Sequence, residues 1–268
     1  MSCQRPLAIA FLLTACLAGA PHAVAAERDF CANRPGLNTP ACTLEPGAVM
    51  IETGIMQWDH TADLATIDDT ITLGDTTVRV GIADRAELQL GFVPYVRDRL
   101  RDAMSGSVST GDGAGDVTLA LRRGIAGANG PFAIQPFVTL PVGKAPGGAG
   151  DWGAGVIVPM GFNLPAGFQL AVSPEIDAAT NSGGSGRHLA FGSAVGLSHA
   201  LGKTLSLAVE ANAFRDNDPS GHETRMLAAV SLAWQPVPGF QLDIEVDAGL
   251  RGGVPGRTLS IGFAKRLR

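Results

Sequence analysis

Phe240-Gln241-Leu242-Asp243-Ile244-Glu245-Val246-Asp247-Ala248 alternates without a break, with Phe, Leu, Ile, Val and Ala at even positions and Gln, Asp, Glu and Asp at odd ones. A helix would scatter these carboxylates around its circumference, whereas a strand puts them all on one face. Leu205 to Asn212, Phe168 to Asp177 and Thr258 to Ala264 repeat the pattern. Twelve such segments follow one another, starting near Ala48, Asp69, Arg85, Gly115, Pro131, Trp152, Gly167, His188, Lys203, Glu223, Gly239 and Arg257. Each runs roughly 9 to 14 residues, enough for a tilted membrane strand and longer than the ~5–6 residues usual in soluble sheets.

The connections add a second pattern. Tight turns fall at Ala83-Asp84, Gly127 to Gly130, Pro165-Ala166, Leu201-Gly202 and Pro236 to Pro238. The alternate connections are mostly longer and more polar, at Asp98 to Ala114, Ala179 to Gly186 and Arg215 to Gly221, with Gly252 to Gly256 shorter. Short turns at one end and longer loops at the other describe an outer-membrane barrel, turns in the periplasm and loops outside. The expected fold is therefore an all-β, transmembrane, antiparallel up-and-down barrel of about twelve strands over residues 47–268.

Aromatics fit this registration. Phe132, Phe162, Phe168, Trp234, Phe240 and Phe263 lie near the turn end and share the parity of the apolar face, as a lipid-facing girdle would. At the other end Trp152 has that parity, and Trp58 and Phe214 do not. A soluble sandwich would instead bury the apolar faces, which leaves a periplasmic β-sandwich as the rival architecture.

Composition agrees with an exported, folded chain. Glycine accounts for 35 of 268 residues, charged residues for 17%, and the mean hydropathy is +0.19. Net charge is −5 without a basic cluster, which argues against nucleic acid as a partner. Met1 to Ala26 reads as a secretory signal: Arg5, an apolar run from Leu7 to Ala20, then small residues at Ala23 to Ala26. Leu13-Thr14-Ala15-Cys16 offers the alternative of lipobox cleavage before Cys16. Cleavage near Ala26 leaves two cysteines, Cys31 and Cys42, expected to pair in an oxidising compartment. Closing that loop is worth roughly 3 kcal/mol in the chain-entropy model. The disulfide would sit in an N-terminal segment, residues 27–46, on the periplasmic side, capping or partly plugging the lumen.

Turned inward, the polar faces carry Glu87, Asp116, Arg122, Glu175, Asp177, Glu210, Arg225, Asp243, Glu245 and Asp247, with Glu52 and Arg79. The arginines should pair with some of these carboxylates, because uncompensated charge in a narrow interior is costly. The wall is then either a salt-bridged filling or an acidic channel lining. Twelve strands lie between filled eight-stranded barrels and open sixteen-stranded ones.

Val80 to Tyr95, the Gly113-Ala114-Gly115-Asp116-Val117-Thr118-Leu119-Ala120-Leu121-Arg122 strand and Leu140-Pro141-Val142-Gly143-Lys144 together resemble the transporter-like outer-membrane proteins grouped under the MetA-pathway of phenol degradation. The resemblance covers most of the mature chain. It implies a barrel passing small, often aromatic or apolar, compounds, and brings no catalytic residues. One departure is the ending Lys265-Arg266-Leu267-Arg268, where such barrels commonly carry an aromatic.

Other motifs read as loops. Gly202-Lys203-Thr204 lacks the phosphate-loop spacing and helix, and Asp216 to Gly221 lacks the final bidentate Glu of a calcium loop. No catalytic residue, metal site or cofactor is expected. An enzymatic barrel would need a nucleophile and base at one rim, and His60, His188, His222, Ser185, Ser220, Asp216 and Asp218 approach the outer rim without a telling spacing. The function expected is passive passage of a small molecule in the outer membrane of a Gram-negative-type bacterium. A structural or adhesive barrel is the alternative. The partners expected are outer-membrane lipid and lipopolysaccharide, the insertion machinery and an unidentified small cargo.

Overall fold

A computed structural model describes residues 28–267; the signal and lipobox readings, Met1–Ala26 and Cys16, lie outside the described residues. Fifteen strand segments run β1 Val49–Ala62, β2 Thr66–Ala83, β3 Ala86–Phe92, β4 Tyr95–Asp102, β5 Val108–Gly113, β6 Val117–Gly124, β7 Ala133–Leu140, β8 Gly153–Ile157, β9 Met160–Asn163, β10 Phe168–Thr180, β11 Arg187–Ala200, β12 Leu205–Asp218, β13 Gly221–Val237, β14 Phe240–Arg251 and β15 Arg257–Arg266. Three pairs are single strands with a local break: β3 with β4 at Val93-Pro94, β5 with β6 at Ala114 to Asp116, and β8 with β9 at Val158-Pro159. The spanning strands therefore number twelve, all antiparallel, and β1 pairs with both β15 and β2 to close the ring. Closure removes the open sheets of a sandwich. Residues such as Leu88, Leu119, Val209, Val230, Ile244 and Val246 face outward and are exposed, as a wall solvated by lipid requires.

Strands reach further than the sequence pattern suggests, which shortens two loops. The third connection, expected from Asp98 to Ala114, is reduced to 103–107 because β4 and β5 pair from Val96↔Gly113 to Arg101↔Val108. The ninth, expected from Arg215 to Gly221, shrinks to Pro219-Ser220, since Arg215, Asp216, Asn217 and Asp218 all pair with β13. Polar residues read as loop continue the ladder here because both faces of a strand above the lipid can be solvated. The longest loop runs 141–152, between β7 and β8.

Trp58 corrects a parity expectation. The register of β1 against β15 shifts between Gly54 and Met56, leaving Ile55 as an extra residue. Past that bulge Gln57 and Asp59 stand opposite Ser260 and Thr258, both buried on the inner face. Trp58 is thereby turned to the outer face, since one inserted residue exchanges the two faces of a strand. Gly74, with φ +73°, sits in β2 beside this row, and a Cβ there would approach the Pro94 ring at 2.9 Å.

Candidate functional site

The lumen is occupied by the chain itself. Residues 28–48 enter from the turn end, and their polar groups contact the inner wall strand after strand. Arg28 starts at the rim, where its guanidinium donates to the Leu44 and Asp84 carbonyls. The Asn33 and Arg34 amides donate to Glu52 of β1 at 2.8 and 3.0 Å. Arg34 meets Asp243 of β14 at 2.9 Å, and the Gly36 amide donates to Glu245 on the same strand. The Leu37 amide and the Asn38 side chain donate to Glu210 of β12. The Thr39 amide donates to Ser173 of β10, whose hydroxyl returns a bond to the Thr39 carbonyl. The arm turns back to β6 and β3, where Arg122 donates to the Cys42 carbonyl and the Leu44 amide donates to Glu87. It has made a near-complete circuit of the wall. A bond of this kind to a charged acceptor is worth about 1.5–3 kcal/mol.

The arm is a plug inside the barrel, deeper than a cap at its periplasmic edge. A Cys31–Cys42 disulfide closes its loop. Gly36, φ +116°, lies so close to the Glu210 carboxylate that a Cβ there would overlap it. Leu44, Ala48 and Met50 form a small apolar core at the root of the arm, packed by Phe30 and Ala32.

The charges under the arm form one network. Arg79 is fully buried and pairs with Glu52 at 2.7 Å and Glu87 at 2.9 Å, while donating to the Cys31 carbonyl. Arg122, also fully buried, reaches Glu87 at 3.4 Å and donates to Gln135 and Asn33. Arg266, near the chain's end, donates to the Arg28 and Asp29 carbonyls, so the basic ending grips the start of the arm.

The remaining wall residues divide by height. Asp116 accepts the Gly143 and Ala149 amides and so pins the 141–152 loop. Glu175 and Asp177 stand on the inner face of β10, and buried Asp177 Oδ1 has no hydrogen-bond partner. Asp247 is buried on β14, its Oδ1 likewise without one. Arg225 lies at the outer rim with Asp216 at 3.1 Å and Glu223 at 2.6 Å. Above the plug a cavity of about 300 Å³ remains, lined by Val93, Phe137, Ile157, Asp75, Gln135 and Glu175 among others. Phe137 is apolar and so stands outside the polar wall pattern; its signal is parity, since it shares the inner face of β7 with Gln135. Gly155 opposite leaves room for its ring, where a Cβ would stand 2.6 Å from Cζ.

The six turn-end aromatics are grouped on the outer wall. Phe132 and Phe162 meet edge-on at 5.6 Å, Phe240 lies 6.3 Å from Phe263, and Phe168 and Trp234 are exposed. At the opposite rim the Ser182 and Ser220 hydroxyls donate to Asp218, and His188 sits 2.7 Å from Asp216. No hydroxyl–imidazole pair of a hydrolase is formed among these described residues.

A closed ring with an apolar exterior and a charged, self-plugged interior defines an outer-membrane β-barrel. The chain belongs to the family described as "Putative MetA-pathway of phenol degradation", whose model matches residues 32–267. No curated protein sequence matches it. Among solved structures it is similar to the COG4313 outer membrane channel from Pseudomonas putida F1 at 14% identity and TM-score 0.67, covering 87% of this chain and 99% of that one. It is also similar to the β domain of the Bordetella autotransporter BrkA, at 14% identity, TM-score 0.53 and coverage of 82% and 99%. The CymD monoaromatic hydrocarbon channel follows at 8% identity, TM-score 0.50 and coverage of 84% and 90%. Identities this low establish a shared fold.

Proposed function

We propose that the protein gives passive passage across the outer membrane to a small apolar or aromatic molecule, with the N-terminal arm as an internal plug. The observation that carries this reading is the attachment of the arm. Hydrogen bonds and ion pairs, and no covalent bond, tie residues 33–44 to the wall, and each is replaceable by water. The cavity above the plug has the size and the mixed apolar and acceptor lining of a site for one small ligand. The family description and the name of the similarly folded hydrocarbon channel support the cargo class.

In this reading Glu87, Glu210, Asp243, Glu245 and Arg122 hold the plug, and Asp116, Glu175, Asp177 and Asp247 line the path above it. The protein transports rather than catalyses. An exported precursor loses residues 1–26, and lipopolysaccharide and the insertion machinery are its partners in the membrane.

The test is entry of a fluorescent aromatic alcohol, such as naphthol, into vesicles with a lipopolysaccharide outer leaflet. Entry faster than into protein-free vesicles, and faster still with the Glu210→Gln, Asp243→Asn variant, is the expected result. Equal rates in all three would leave a structural barrel as the answer.

A further inference from the structure

Strand β4 carries Tyr95-Val96-Arg97-Asp98-Arg99-Leu100-Arg101-Asp102. Val96 is buried, and Asp98 accepts a hydrogen bond from Thr70 on the neighbouring strand, so these two face inward. Arg97, Arg99 and Arg101 have the opposite parity and are all exposed. They form a row whose backbone positions recur roughly 6–7 Å apart along the strand. Arg99 has one ion pair, with Asp69 at 3.8 Å. That carboxylate also accepts the Trp58 indole N–H at 3.1 Å and lies 2.8 Å from His60 Nδ1. Asp112 stands opposite Arg97 on β5, yet among the described residues neither Arg97 nor Arg101 forms an ion pair. The row therefore carries positive charge that the protein does not neutralise.

Its position is as informative as its charge. The row lies on the strand end remote from the arm and the tight turns, the end outside the cell in an outer-membrane barrel. On the same strand, before the break at Pro94, Leu88, Leu90 and Phe92 face outward and are exposed. One strand thus presents an apolar row and, directly above it, a basic row.

We propose that Arg97, Arg99 and Arg101 bind the phosphate groups of lipopolysaccharide in the outer leaflet, while its acyl chains run down the outer wall toward Phe92. A guanidinium fork matches a phosphate with two parallel charge-assisted hydrogen bonds, and three in a row match a glycolipid bearing more than one phosphate. The proposal rests on the outer-membrane reading and adds to it a binding site with its own ligand.

The experiment measures binding of lipopolysaccharide to the folded full chain in mild detergent, with its dephosphorylated form as comparison. The Arg97→Gln, Arg99→Gln, Arg101→Gln variant should bind about tenfold more weakly or worse, and the unmodified chain should lose a similar factor toward dephosphorylated glycolipid. Added salt should weaken the unmodified chain and barely affect the variant. Arg215→Gln, on the far wall and hydrogen-bonded to Asn217 and Thr224, should bind as the unmodified chain does. Equal binding of phosphorylated and dephosphorylated glycolipid overturns the proposal, as does a triple variant indistinguishable from the unmodified chain. Displacement by millimolar inorganic phosphate would make the row a general anion site and overturn it too. Should the triple variant fail to fold, the dephosphorylated comparison still decides. Release of folded protein into detergent-free buffer would instead defeat the outer-membrane reading itself.

Discussion

Arg79 shows how much one side chain holds here. It is fully buried between Glu52 and Glu87 and also grips the Cys31 carbonyl. Arg79→Met would leave Glu52 buried without its cation and Glu87 with Arg122 alone, a loss of about 3–5 kcal/mol. Arg225→Met, at the half-open rim beside Asp216 and Glu223, should cost roughly 0–1 kcal/mol. The temperature at which the compact, fast-migrating band disappears from a detergent gel would compare them. Equal losses would contradict the network. Parity alone placed Arg79, Arg122, Glu52 and Glu87 on one face. Which of them pair was not legible, because partners 27 and 8 residues apart in the chain meet only through strand register.

At the scale of elements, the arm and the 141–152 loop carry the behaviour. Cys42→Ser opens the loop of the plug, which in the chain-entropy model removes roughly 3 kcal/mol from the arm's ordering. More frequent open events in a planar bilayer should follow, and an unchanged open probability would mean the wall contacts suffice. The loop is pinned by Asp151, whose carboxyl is held below its ordinary value first by the Trp152 amide, then by the Gly186 amide and Arg187. A depressed pKa stabilises the pinned form above the free value of ~3.9 and loses that contribution as pH falls through the lower, folded value. Arg187 stacks on the Trp152 ring at 3.5 Å, so Trp152 fluorescence, with Trp58 and Trp234 replaced by Phe, reports the contact. A change confined to pH below about 4 is expected, and Asp151→Asn should abolish it. The cysteine pairing was readable from the compartment and the even count. The arm's route was not, for Asn33 to Thr39 show no periodicity, and their contacts come from strands far along the chain.

Across the whole molecule, neighbours on β14 separate outside from inside. Ile244 is 42% exposed on the outer wall, and Glu245 lies under the arm, bonded to Gly36. Cysteine at 244 should react with a lipid-soluble thiol probe and resist an impermeant one. Cysteine at 245 should resist both in the plugged barrel, and react with the impermeant probe once Glu210→Gln and Asp243→Asn loosen the arm. Ready labelling of position 245 in the otherwise unmodified chain would show that the plug does not cover it. An acidic channel lining would bias ions toward cations, but Glu210, Asp243 and Glu245 are occupied by the arm. Any bias in the plugged state would fall to Glu175, Asp177 and Asp247 above it.

By itself the sequence determined the barrel, its strand number and its turn end. Those follow from a period of two and from turn chemistry, both local and written in neighbouring residues. Tertiary structure alone decided where the arm lies, which charges it consumes and how Trp58 is turned. A plug bonds to whatever the closed wall presents at its height, and one extra residue at Ile55 exchanges the faces of everything beyond it. Both depend on which strands become neighbours around the ring, and alternation along a single strand carries no record of that.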